Sequence, residues 1–195
     1  YQPHIYRLFI KQGCFDYLYD KVGLYDTLRG VMNGQTSAND ISYTLQSTAD
    51  IRHNMLTFLE NHDEQRIASD FFAAKAERAL AALIVSATIG TQPFMLYAGQ
   101  EYGERGMDAE GFSGRDGRTT IFDYWSIDTL CRSAWDTLND DEREIAATYQ
   151  KVLRIANKEK SVSEGVFFDL MYANCHLDRQ YVFLRKADNE ILIVA

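Results

Sequence analysis

Short apolar runs alternate with stretches of helical periodicity through the first hundred residues, which leaves the chain few architectures to choose from. Cys14 to Tyr19, Met55 to Leu59 and Pro93 to Tyr97 each have the length and the apolar or aromatic content of a short buried strand. Pro93 stands first in its run, where no ladder donor is lost. The segments around them read as helices. His4 to Gln12 repeats apolar residues at Ile5, Leu8 and Phe9. Leu24 to Met32 closes at Asn33-Gly34. Ser37-Ala38-Asn39-Asp40 has a Ser-x-x-Asp capping pattern ahead of Ile41 and Leu45, and an Ala-rich stretch from Ala73 to Ile89 ends at Gly90. Strand and helix in alternation predict parallel strands joined by crossover helices.

The second half has a different rhythm. Ala98 to Thr120 is a long loop with Gly99, Gly103, Gly106, Gly111 and Gly114 among charged residues, and loops of that length in compact domains usually serve a function. Asn139-Asp140-Asp141-Glu142 caps an amphipathic helix to Lys158, with Ile145, Tyr149 and Val152 on its apolar face. Beyond Ser161 the runs Val166 to Tyr172, Tyr181 to Lys186 and Ile191 to Val194 have β character and turn residues between them, the start of an antiparallel sheet. The domains read as 1–160 and 161–195. The chain begins Tyr1-Gln2-Pro3 and stops within the apolar run ending at Ala195, so both ends are expected to be cuts in a longer protein, with any leader removed or lying outside. Location is left open, a secreted or extracytoplasmic one included.

Composition narrows the partners. At 46% hydrophobic and 13% aromatic, 195 residues suffice for one sizeable core, or one core with a small appendage. A net charge of −8 with both signs interspersed offers nothing to a phosphate backbone or an anionic membrane, so nucleic acid is not an expected partner. No apolar run approaches the roughly 20 residues that span a bilayer. Cys14, Cys131 and Cys175 lack metal or disulfide spacing and are expected to be buried free thiols.

Chemistry is concentrated where the second strand ends, at Phe58-Leu59-Glu60-Asn61-His62-Asp63. A histidine beside a carboxylate in that place has three readings: a metal ligand pair, a tie within a loop, or a sugar-processing carboxylate site. The run Phe58 to Asp63, followed by Arg66, resembles the strand-seven signature of the α-amylase family, glycoside hydrolase family 13. Gly90-Thr91-Gln92-Pro93-Phe94-Met95-Leu96-Tyr97-Ala98-Gly99-Gln100-Glu101 resembles that family's strand-eight pattern. The resemblance implies a partial (β/α)8 TIM barrel, strands six to eight with their helices, followed by the beginning of a C-terminal antiparallel β domain.

By the same resemblance Asp63 is the transition-state-stabilising carboxylate, His62 contacts the same sugar, and Asn61 and Arg66 support them. The substrate class is α-glucan, starch or maltooligosaccharide. The family's nucleophilic Asp and general acid Glu follow strands four and five, and the twelve residues before Cys14 contain no carboxylate. The chain alone is therefore expected to be inactive. An alternative of another class is a non-catalytic amylase-like binding or transporter-associated module. No cofactor site is identifiable. Calcium is common in the family, with its usual ligands largely in the earlier portion of the barrel. Glu101, Glu104, Arg105, Asp108 and Asp116 read either as a solvated loop or as a cleft rim, with Tyr102, Phe112, Tyr124 and Trp125 available for stacking. A part-barrel leaves strand edges open, so self-association is expected.

Overall fold

The computed structural model describes residues 2–109, 111–112, 114–123 and 127–195. The stacking candidates Tyr124 and Trp125 lie outside them. The helices are α1 (Tyr6–Lys11), α2 (Asp26–Met32), α3 (Asn39–Ser47), α4 (Ala76–Thr88), α5 (Asp128–Ala134), α6 (Asp140–Lys158), α7 (Lys160–Ser163) and α8 (Met171–Asn174). The strands are β1 (Leu18–Tyr19), β2 (Met55–Phe58), β3 (Phe94–Met95), β4 (Val166–Asp169), β5 (Phe183–Ala187) and β6 (Glu190–Val194). Among the described residues no helix is long and apolar enough to cross a membrane.

Two compact units share the chain: Tyr1–Phe58 with Ile84–Met95 and Arg154–Ala195, and Leu59–Leu83 with Leu96–Leu153. The first holds both sheets. β1, β2 and β3 are consecutive parallel neighbours, with Leu18 opposite Met55 and Thr57 opposite Phe94. This is the order a barrel segment requires. β4, β5 and β6 form an antiparallel sheet, with Phe167 opposite Arg185 and Arg185 opposite Leu192.

The alternation of faces explains the packing of this unit. Phe58 is buried at the end of β2, stacked on Tyr25 at 5.0 Å and met edge-on by Tyr19 at 5.2 Å. Tyr6, Ile51 and Met55 form a further buried cluster. Thr57 turns its hydroxyl to the carbonyl of Ser86 at 2.9 Å, which satisfies a polar group that the strand would otherwise strand in the core. On β5, Arg185 is buried, and among the described residues no carboxylate pairs with it. Its guanidinium donates to the carbonyls of Val162 (2.7 Å), Ser161 (3.2 Å) and Ile89 (3.3 Å), acceptors left over where α7 and α4 end. Burial, assisted by Arg52, lowers its pKa to about 10, which still leaves it charged at neutral pH.

Several sequence expectations need correction, each for a local reason. β1 covers only the last two residues of the Cys14 to Tyr19 run, because Cys14 adopts φ 54°, a left-handed conformation that ends any extended stretch there. α4 begins at Ala76 rather than Ala73, since Ala74 at φ 65° cannot belong to a right-handed helix. α3 begins at Asn39, and Ser37 does not cap it in the expected box. Its hydroxyl accepts from the Asn39 backbone and side chain instead, at 3.2 and 3.1 Å. The run from Val166 turns into α8 after Asp169, whose carboxylate accepts from the Met171 N–H at 2.8 Å. The three cysteines are free, but Cys14 and Cys175 are exposed and Cys131 half-buried, because all three fall at turns or on a short polar helix.

Asp20 closes β1 and sets the turn into α2. Its N–H donates to the Leu56 carbonyl (3.0 Å) and its carboxylate accepts from the Leu24 N–H (2.9 Å). A Cβ on Gly23 would stand 2.0 Å from that carboxylate, so only glycine fits. Burial raises the Asp20 pKa to about 6, against the opposing pull of the Leu24 N–H and Arg52. With the folded pKa above the unfolded one, the native state holds the proton more tightly. The stabilisation is fully present below about pH 4 and is lost as pH rises through about 6, roughly 3 kcal/mol in all. Asp20→Asn keeps an acceptor for Leu24 and removes the charge. In urea denaturation the variant should gain on the parent chain between pH 4.5 and 7.5, and a pH-independent difference would refute the assignment.

Candidate functional site

The residues that follow β2 lie in the second unit, and their geometry starts from two buried charges. Glu60 and Arg66 are fully buried and paired, with Arg66 Nη1 2.6 Å from Glu60 Oε2. The other Glu60 oxygen accepts from the Ile67 N–H at 2.8 Å. Arg66 also donates to the Thr119 hydroxyl (2.8 Å) and the Ala98 carbonyl (2.9 Å), and its guanidinium lies 4.4 Å from the centre of the Tyr97 ring. Its backbone N–H donates to Gly117 O at 2.6 Å. One side chain thus joins the loop after β2, the segment after β3 and the glycine-rich loop. Burial raises the Glu60 carboxyl against the pull of the Arg66 guanidinium.

Asn61 is buried directly beyond this pair. Its side-chain oxygen accepts from the N–H of Asp63 (2.8 Å) and of Glu64 (3.0 Å), an Asx turn that reverses the chain at its most polar point. The turn presents His62 and Asp63 outward, with their side chains 49% and 64% exposed and His62 Nε2 3.5 Å from Asp63 Oδ2. Arg118 is close enough for Asp63 and Glu64 to act on its charge. A solvent-facing carboxylate beside an imidazole, on a turn held rigid from below, can accept hydrogen bonds from a polar ligand with little reorganisation.

The loop after β3 is ordered by its own polar groups. Gly99 takes φ 94°, its N–H donating to Glu101 at 2.9 Å, and a Cβ there would meet Arg66 Nη2 at 3.5 Å. Gln100 is buried and donates to the Tyr149 hydroxyl on α6 at 3.0 Å. Glu104, expected on a solvated loop or a cleft rim, is instead buried, accepting from Thr129 Oγ1 (2.6 Å) and the Gly106 N–H (2.9 Å). Arg105 pairs at the surface with Asp108 and Asp70, and Asp116 pairs with Arg118. A cavity of about 1000 Å³ lies in this unit among Glu104, Arg105, Asp123, Arg132 and their neighbours, and neither His62 nor Asp63 lines it. Among the described residues no three His, Cys, Asp or Glu side chains gather as a metal-binding group.

Of the residues that the sequence points to, Asn61, His62 and Asp63 share one turn, and Arg66 lies just beyond it, buried against Glu60. Glu60, Tyr97 and Thr119 are not among them. The signal for Glu60 was present: a carboxylate ending an apolar run, six residues before an arginine, is expensive to bury unless the two meet.

Neither a protein-family model nor a curated protein sequence matches the chain. Solved structures do match in fold. AmyP in complex with maltose superposes with a TM-score of 0.63 at 18% identity, over 91% of this chain and 39% of that one. The noncanonic maltogenic α-amylase AmyB from Thermotoga neapolitana gives 0.60 at 18%, over 98% and 39%. A cyclomaltodextrinase gives 0.61 at 20%, over 88% and 27%. The chain therefore has the fold of part of the α-amylase-type enzymes and spans about two fifths or less of their length. The two sequence motifs resemble the same family.

Replacing Arg66 with methionine leaves the Glu60 carboxyl buried without its partner and should cost about 3–5 kcal/mol. Replacing both, Glu60→Leu with Arg66→Met, should cost clearly less than the sum of the single changes. Urea denaturation of the four chains measures the coupling, and additive single costs would show that the pair does not act as a unit.

Proposed function

We propose that this chain forms the sugar-contacting end of an α-amylase-type retaining glycoside hydrolase acting on α-glucans. The observation that carries the reading is the Asn61 turn, which holds His62 and Asp63 outward at the end of a parallel strand. That is the place where barrel folds collect their chemistry. Support comes also from the shared fold of AmyP, which was solved with maltose.

In this reading β1, β2 and β3 are strands six, seven and eight of a (β/α)8 barrel. Asp63 accepts hydrogen bonds from sugar hydroxyls, and these strengthen as the ring flattens toward an oxocarbenium-like transition state, a gain of several kcal/mol in such enzymes. His62 contacts the same sugar ring and orients it. Asn61 and Arg66 hold the turn in place and touch no substrate. Any calcium belongs to a larger assembly of barrel strands rather than to the residues described.

A retaining double displacement also needs a nucleophile and an acid/base carboxyl about 5–5.5 Å apart. The family resemblance assigns these to strands four and five, and this sequence has no carboxylate in either context. The 195-residue chain accordingly binds glucan without hydrolysing it. Maltotriose titrated into the isotope-labelled chain should shift the amide resonances of His62 and Asp63. Those shifts should vanish in the Asp63→Ala and His62→Ala variants, with no release of reducing sugar from starch by any of the chains. Unshifted resonances would overturn the site, and measurable turnover would overturn the inactivity.

Open edges give the second consequence. Within the first unit β1 and β3 each have a single described neighbour in the parallel sheet, which leaves ladder groups on their outer sides available to another copy. The chain should sediment as a dimer or larger species at micromolar concentration, and a monodisperse monomer would refute this association.

A further inference from the structure

His62 and Asp63 stand at the tip of a short loop, residues 61–65, whose base is closed by the Glu60–Arg66 pair at 2.6 Å. What the tip presents to a ligand depends on how firmly the Arg66 guanidinium is held. The hydrogen bonds to Glu60, Ala98 and Thr119 leave it by its edges, because a guanidinium carries every N–H in its own plane. They resist sliding and turning within that plane. Tilting out of the plane is resisted by whatever lies beyond the edges.

Tyr97 supplies that contact. Arg66 stands over the Tyr97 ring, 4.4 Å from its centre, and the electron-rich face of an aromatic ring attracts a cation, most strongly out of water. Arg66 is fully buried and Tyr97 half-buried, so the ring forms part of the cover over the buried charge. The ring is itself tethered at both ends. The Gln100 N–H donates to the Tyr97 carbonyl at 3.0 Å, and the Tyr97 hydroxyl donates to the Thr119 carbonyl at 2.9 Å. Thr119 is also the residue whose hydroxyl accepts from Arg66, so Tyr97, Arg66 and Thr119 hold one another in a closed cycle. Burial raises the phenol pKa against the pull of Arg66, and the hydroxyl remains a donor through the neutral range.

The same cycle sets where the glycine-rich loop lies. Gly117 accepts from the Arg66 N–H at 2.6 Å, and a Cβ on Gly117 would come within 2.8 Å of Ser69 and 2.9 Å of Phe71. The loop is thus laid directly on the chain that leaves the Asp63 turn.

We propose that Tyr97 is a positioning residue for Asp63: its ring keeps the Arg66 guanidinium from tilting and so fixes the base of the loop that presents His62 and Asp63 to an α-glucan. The proposal rests on the functional reading above and adds to it a residue that touches no sugar. Phenylalanine in its place keeps the aromatic face and loses only the tie to Thr119. Leucine fills much of the space and offers a cation no such face.

Tyr97→Phe and Tyr97→Leu, each in the isotope-labelled 195-residue chain, test this. With no sugar present, Tyr97→Leu should speed solvent exchange of the Arg66 Nε–H and of the Asp63 and Glu64 amides by about tenfold, and Tyr97→Phe should leave them within about twofold of the parent. Titrated with maltotriose, Tyr97→Leu should bind about three- to tenfold more weakly, again with Tyr97→Phe close to the parent. Unchanged exchange or unchanged affinity in Tyr97→Leu, or losses in Tyr97→Phe as large as in Tyr97→Leu, would overturn the role. So would loss of the native spectrum in Tyr97→Leu, because a residue that only orients Arg66 leaves the fold intact when it is replaced. Maltotriose that leaves His62 and Asp63 of the parent unshifted would overturn the functional reading instead, and the exchange rates would still decide whether Tyr97 holds the turn.

Discussion

The buried guanidinium of Arg66 is the interaction on which the order of the second unit depends. A charge removed from water must find acceptors for its planar donors, and here they come from three separate stretches of chain: Glu60, Ala98 and Thr119. None of these stretches belongs to regular structure at the point of contact. Loops with few apolar side chains cannot be packed into one arrangement by hydrophobic burial, and a bidentate-capable cation specifies direction as well as distance. The exposed residues His62 and Asp63 inherit their position from this buried pair through Asn61.

A similar division of labour recurs elsewhere in the molecule. Asp123 gathers the backbone N–H groups of Phe112 and Thr120, and Arg185 collects carbonyls near the ends of two helices in the first unit. In each case a buried charged group is saturated by backbone atoms, so that desolvation is offset by several charge-assisted hydrogen bonds rather than one. The surface pairs, Arg105 with Asp108 and Arg118 with Asp116, are screened and hold little by themselves.

How much of this was legible in advance varies with the element. The Asn139 and Glu142 box at the start of α6 was readable, and both of its hydrogen bonds are made, Glu142 N–H to Asn139 at 2.9 Å and Asn139 N–H to Glu142 at 3.0 Å. Strand β2 was readable because four apolar or β-branched residues stop at a polar burst. Helix α5 was not, because Asp-Thr-Leu-Cys-Arg-Ser-Ala shows no apolar stripe. Its placement comes from Thr129 donating to buried Glu104 and from Arg132 paired with Glu142. The starts of α3 and α4 were misread because Ser37 bonds to Asn39 instead of forming the expected box and Ala74 takes a left-handed conformation with its N–H on the Ser69 carbonyl, choices that residue type alone does not reveal.

The sequence by itself determined the order of the strands, the parallel and antiparallel character of the two sheets, and the cluster from Asn61 to Arg66, because periodicity and the chemistry at a strand end are local properties. Only the tertiary structure decided which charges are buried and paired and which face water. Glu60 and Asp63 lie three residues apart in one polar burst and look alike in composition. Burial separates them: one meets Arg66 out of contact with solvent, and the other is turned outward by two hydrogen bonds to Asn61. A carboxylate's solvation depends on what surrounds it in space, and for Glu60 that includes an arginine which itself needs partners up to 53 residues away.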